Sequence, residues 1–269
     1  MLARLIGSHS RYACVPVEAR FHAEPEGLPG LLAGRVDAEA FAGRMREHWW
    51  QRIDSGGREA GLDQIAGRAV FDAALMEFER AVDRDPAGAG ATLVRRLLGG
   101  VADAERKPSW VEMTPSTALN ATSLLRLFPD MRIVHVVRDG RDVAASVARL
   151  WGWDPEEALE WWLRRVRRVF LEQRALPAGT MLTLRLERLV ATDREQSYAA
   201  LLEFLLLEEE AEMRRFFDER ISPGRRRTGP WDEQLSEPRA TRLAKRYREM
   251  LAELDEEIGE PASELTREG

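Results

Sequence analysis

Apolar residues along this chain alternate between a helical and a strand-like spacing. Phe41, Met45 and Trp49 fall four apart and predict a helix over 37–53. Phe71, Leu75, Phe78 and Val82 mark a second helix, and 92–104 reads as a third. Residues 2–6 look like the tail of a helix ending at Gly7, and 25–34 is a Pro/Gly loop. Short runs at 12–17, 109–112 and 133–137 and the alternating run at 181–186 read as strands, with helical spacing at 118–128. Asp154-Pro155-Glu156-Glu157 opens another helix with a capping Asp, Pro at the first position and an early Glu. Its buried face is Leu159, Trp162, Leu163, Val166 and Phe170. Helices follow at 193–206 and 208–219, then a Gly/Pro/Arg loop at 222–230. A last helix carries Leu243, Tyr247, Met250, Leu251 and Leu254 on one side. Strands separated by helices imply an α/β fold, a parallel sheet flanked by helices, in a single domain over 1–269 with a helical insertion at 37–104.

The stretch from Ile133 to Ser146 carries the candidate chemistry. A β-branched run, the pattern of a strand covered on both faces, stops at Arg138 and passes into a helix that Asp139 can cap. Ser146 lies about two turns into that helix. A cation, a hydroxyl and a helix start converging on one crevice suit a phosphate-like anion. The alternative is structural, with Arg138 paired to a nearby carboxylate.

Composition narrows the picture. The chain has 269 residues, 44% hydrophobic and 32% charged, with 40 Lys and Arg against 46 Asp and Glu, a formal net charge of −6. The acidic excess argues against a nucleic-acid binder, which needs cations for phosphate. One cysteine, Cys14, leaves no intrachain disulfide and no cysteine-based metal site. No apolar run is long enough to span a bilayer and no basic-then-apolar leader is present, which places the expected location in the cytoplasm.

Three further segments stand in order around the 138–146 stretch. They are Trp110-Val111-Glu112-Met113-Thr114-Pro115, Leu184-Arg185-Leu186-Glu187-Arg188-Leu189-Val190 and Gly224-Arg225-Arg226-Arg227-Thr228-Gly229-Pro230-Trp231. Together they resemble the PAPS-dependent sulfotransferases, especially the bacterial group related to tyrosylprotein sulfotransferases. The resemblance implies a P-loop NTPase-like sulfotransferase fold, with PAPS (3′-phosphoadenosine 5′-phosphosulfate) as co-substrate and no metal. It implies that Arg138 and Ser146 hold the 3′-phosphate and that the loop with Arg225, Arg226, Arg227 and Gly229 closes over it. The other reading of that loop is a solvated basic run. The 184–190 segment reads as scaffold, with Leu186 where relatives often carry tyrosine.

Two departures from the family pattern stand out. Residues 1–10 resemble the helix that follows the family's 5′-phosphosulfate loop, so that loop and its strand are expected upstream of Met1. Met113 stands where many relatives have a lysine beside the bridging oxygen.

Sulfuryl transfer needs a general base at the acceptor hydroxyl. Glu18, in the string Glu18-Ala19-Arg20, matches the glutamate that serves in the related tyrosylprotein enzymes; its alternative is an ion pair with Arg20. Glu112 is the second candidate for the base. His9 and His22 are expected to line the acceptor site, and His135 to be a core residue. Trp49, Trp50, Trp151, Trp153, Trp161 and Trp162 read as packing, with contact to acceptor or adenine the alternative for Trp151 and Trp153. The acceptor class stays open among carbohydrate, lipid, peptide and small metabolite. The rival functions are a weak or inactive nucleotide-binding remnant and a small-molecule kinase.

Overall fold

A computed structural model describes residues 1–222 and 231–258. These gather into two compact units, one of Met1–Met131 with Glu209–Glu219, the other of Arg132–Glu208 with the described residues from Arg220 onward. The protein is mixed α/β, mostly helical with small parallel sheets.

The first unit opens with α1 (Leu2–Gly7) and β1 (Tyr12–Cys14). β1 pairs in parallel with β2 (Ser109–Val111), Ala13 opposite Trp110. It is shorter than the 12–17 run suggested. Val15 still donates its N–H to Val111 (2.9 Å), but Pro16 has no N–H to continue the ladder. Gly7 is required where α1 meets β1, since a Cβ there would lie 2.5 Å from that of Cys14. Lys107 ties the junction, its Nζ donating to the carbonyls of Gly7 and Tyr12 at 3.0 Å each.

Helices α2 (Leu28–Leu32), α3 (Ala38–Arg44), α4 (Arg68–Ala81), α5 (Pro86–Val94), α6 (Gly100–Glu105) and α7 (Ala121–Leu125) complete this unit with α11 (Ala211–Arg220). The four-apart apolar rows pack as their spacing predicts: Phe41, Met45, Trp49, Phe71, Leu75 and Phe78 are fully buried in one cluster. The helical rows are not uniform. A π-turn at Met45–Trp49 continues α3, and another at Arg95–Gly99 joins α5 to α6. The helix expected from 92 in fact starts at Pro86, where Asp85 caps the N–H of Gly88 at 2.9 Å.

The second unit holds β3 (Ile133–Val137) and β4 (Met181–Arg185), parallel and in register from Ile133 opposite Met181 to Val137 opposite Arg185. Helices α8 (Gly140–Trp151), α9 (Pro155–Ala175), α10 (Arg194–Leu205) and α12 (Glu237–Ile258) accompany them. Asp154 caps α9 as its sequence predicts, accepting from Glu156 N at 2.9 Å. The apolar faces of α8, α9 and α12 interlock through Val147, Leu159, Trp162, Val166, Leu243, Tyr247 and Met250. No described helix is long and apolar enough to cross a membrane.

Candidate active site

The candidate anion site lies where β3 ends. Arg138 leaves the strand, and Asp139 caps α8 by accepting the Arg141 N–H at 2.8 Å. The Asp139 N–H donates to Glu187 Oε1 at 3.0 Å, so the 184–190 segment braces the turn. Glu187 Oε2 is buried without a hydrogen bond among the described residues, with Arg185 Nε 3.9 Å away. Arg138 extends along α8 to Asp142, Nη2 to Oδ2 3.1 Å. Asp142 and the partly buried Ser146 are one turn apart, so the arginine, the carboxylate and the hydroxyl mark one helix face. The Arg138 side chain is 30% exposed and that of Asp142 only 9%. The carboxylate pairing weighed for Arg138 is therefore present, but it engages one edge of a guanidinium that still reaches solvent.

Arg141 builds the neighbouring wall. Its guanidinium pairs with Asp139 at 2.6 Å and lies 5.0 Å from the Trp231 ring and 4.7 Å from that of Tyr247. Burial, and then the charge of Asp139, push the Tyr247 phenol far above its ordinary range, so it stays protonated. Trp231 comes four residues after Arg227. Arg225, Arg226, Arg227 and Gly229 lie outside the described residues.

A second polar cluster forms at the turn after β1. Glu18 pairs with Arg20 at 3.0 Å, and Arg20 also reaches Glu24 at 3.2 Å. Arg20 is left-handed at φ 59°, a strained conformation for a residue with a side chain. Arg52 holds the turn from one side, its Nη2 donating to Glu18 O at 3.1 Å and Ala60 O at 2.9 Å. Segment 112–114 holds it from the other. Glu112 Oε1 accepts the Ala19 N–H at 3.2 Å and the Thr114 hydroxyl, while Thr114 Oγ1 accepts the Arg20 N–H at 3.2 Å. Glu112 Oε2 faces His22 Nε2 at 3.1 Å, and both side chains are under a tenth exposed. Burial pushes the Glu112 carboxyl up, but the His22 charge and the bonds from His22, Thr114 and Ala19 outweigh it and hold the group below the ordinary carboxylate range. Met113, between them, is exposed.

A model of the sulfotransferase family matches residues 1–211. The chain belongs to the sulfotransferase family. Among solved structures, this sulfotransferase is similar to the sulfotransferase domain from the curacin biosynthetic pathway. The identity is 15%, over 94% of this chain and 92% of that one, with a TM-score of 0.51. It is also similar to sulfotransferase STF1 from Mycobacterium tuberculosis H37Rv, at 14% identity over 91% of this chain and 72% of that one, with a TM-score of 0.49. No curated protein sequence matches it.

Several residues of this sulfotransferase stand differently from their sequence expectation. His9 and His22 do not line an open site: both are buried, His9 beside Glu210 (3.5 Å) and His22 beside Glu112. Trp151 and Trp153 are exposed instead of packed in the core, 6.0 Å apart, and Trp153 meets Trp161 edge-on at 6.2 Å. His135, expected in the core, is partly buried, its Nδ1 3.4 Å from Thr183 Oγ1, which donates to Gln173 Oε1 at 3.1 Å. Sequence reasoning missed Asp142, Arg141 and the pairing of His22 with Glu112. Only Asp142 left a readable signal, four residues after Arg138 on a predicted helix.

Proposed function

We propose that the protein transfers a sulfuryl group from PAPS to a hydroxyl-type acceptor, with Glu18 as general base. The junction of β3 and α8 carries this reading. It presents a partly exposed guanidinium at the positive end of a helix and a hydroxyl two turns on, which together suit a dianionic phosphate. Arg138 retains N–H groups beyond the one directed at Asp142, because guanidinium offers five. The 3′-phosphate of PAPS would bind there, with Arg225, Arg226, Arg227 and Gly229 joining from the loop that precedes Trp231.

In the reaction the bond between sulfur and the bridging phosphate oxygen breaks as the acceptor oxygen bonds to sulfur. The phosphate keeps the electron pair, and the acceptor proton passes to a carboxylate. Glu18 suits that role because its side chain is partly exposed, and Arg20 fixes it without enclosing it. The acceptor can be a carbohydrate, lipid, peptide or small molecule.

Calorimetry with adenosine 3′,5′-bisphosphate and with adenosine 5′-monophosphate is the first test, followed by transfer of labelled sulfate from PAPS to phenols, sugars and peptides. Tighter binding of the bisphosphate together with transfer is expected, with Glu18→Gln losing transfer but keeping bisphosphate affinity. Equal affinity for the two nucleotides refutes the reading. Tight binding with no transfer identifies a nucleotide-binding remnant of the family.

A further inference from the structure

We propose that Glu112 and His22, completed by Thr114, are positioning residues that hold Glu18 for catalysis; this rests on Glu18 being the base. The turn bearing Glu18 has bonds of its own, the Phe21 N–H to Ala19 O at 2.7 Å among them, but its Ala19 and Arg20 N–H groups are held from outside. Arg20 is in the left-handed region, and the Ala19 and Arg20 N–H groups point away from their own strand toward segment 112–114. Glu112 takes the first of these, Thr114 the second, and the Thr114 hydroxyl donates back to Glu112. One carboxylate thus anchors, directly and through Thr114, the two residues that follow the base.

His22 fixes the other end of the same turn. The ring touches Phe21 edge-on at 5.7 Å, and its Nε2 faces Glu112 Oε2 at 3.1 Å. Its Nδ1 is buried with no hydrogen-bond partner among the described residues. Glu112 is therefore the polar contact that keeps this imidazole inside. Burying a carboxylate costs more than burying an apolar residue of similar size, and packing alone does not call for one. An acceptor with two oxygens is what this position requires: one oxygen meets the Ala19 N–H and Thr114, the other meets His22.

The test uses the full chain and two readouts. The first is amide hydrogen exchange by NMR. In Glu112→Ala, exchange at Ala19 and Arg20 should rise at least about tenfold, while the β1–β2 ladder keeps its rates. Thr114→Val should release Arg20 alone, and it serves as the test if Glu112→Ala does not fold. The second is transfer of labelled sulfate from PAPS to 4-nitrophenol or water. kcat should fall at least about tenfold, up to ~100-fold for a displaced base, with KM for PAPS within about twofold. Glu112→Gln, which keeps an acceptor for the Ala19 N–H, should recover part of kcat. Unchanged exchange at Ala19 and Arg20 in an active enzyme overturns the brace, as does faster exchange with unchanged kcat. A wild-type protein that transfers no sulfate from PAPS overturns the Glu18 reading itself, and the exchange data separate that failure from the other.

Discussion

Replacing Arg138 by alanine should sharply reduce discrimination between adenosine 3′,5′-bisphosphate and adenosine 5′-monophosphate. A hydrogen bond from a charged donor to phosphate contributes about 1.5–3 kcal/mol. At about 1.4 kcal/mol per tenfold, the bisphosphate should bind roughly 10- to 150-fold more weakly, while the monophosphate changes little. The same substitution has a structural cost that must be kept apart. Asp142, with a side chain 9% exposed, loses the cation 3.1 Å away. Leaving it unpaired costs about 1–3 kcal/mol, toward the low end because Arg138 is itself partly solvated. The double variant Arg138→Ala with Asp142→Asn removes the stranded charge. It should recover the melting temperature and leave the affinity low. Calorimetry with both nucleotides, paired with thermal denaturation of the wild type and the two variants, reads the two effects separately. If Arg138→Ala keeps the wild-type preference for the 3′-phosphate, or if Asp142→Asn restores it in the double variant, Arg138 is a structural partner only and the anion site is elsewhere.

Gly140→Ala should destabilise the second unit even though alanine ordinarily stabilises a helix by about 0.5–1 kcal/mol. The new Cβ would lie 2.7 Å from Trp162 Cε3 and 2.9 Å from Leu159 Cδ1, and overpacking of that kind costs about 1–3 kcal/mol. A net loss near ~1 kcal/mol with altered near-ultraviolet dichroism is expected, and a gain in melting temperature would contradict the close α8–α9 contact. Burial lowers the pKa of His135 from the ordinary 6.5 to about 4. Between those values the unfolded chain binds the extra proton, so stability from this group is full above pH 6.5 and falls as pH drops toward 4. The loss is no more than about 3.4 kcal/mol at about 1.36 kcal/mol per unit. His135→Leu should flatten the stability curve in that window, and a ring that titrates near 6.5 by NMR would refute the assignment.

Local pattern made much of this protein readable in advance. The rows Phe41–Met45–Trp49 and Leu243–Tyr247–Met250 define buried helix faces because apolar burial at helical spacing is decided within two turns. Asp154-Pro155 and Asp139-Gly140 mark helix starts because capping joins residues two or three apart. The strand–Arg–helix order places Arg138 and Ser146 on one junction for the same reason. β1 fell short where Pro16 removed a donor, a signal present in the sequence but outweighed by the apolar run.

Contacts between distant residues were not readable. Glu112 meets Ala19 across 93 positions, and Lys107 reaches the end of α1 from 100 positions away. The exposed Trp151 and Trp153 share their residue type with the buried Trp49, and nothing local distinguishes them. Short-range periodicity and hydrogen bonding were enough to specify most of the helices and strands, the Asp139 and Asp154 caps, and the cation and hydroxyl at the start of α8, but not α2, which lies inside the expected 25–34 loop, nor the start of α5 at Pro86. Folding in three dimensions was needed to show that Asp142 shares the guanidinium, that Trp231 and Tyr247 flank Arg141, and that a buried carboxylate and imidazole hold the Glu18 turn. Apart from the Arg138–Asp142 pair, which is one helical turn long, these contacts join residues far apart in the sequence, and no local period marks which distant groups will meet.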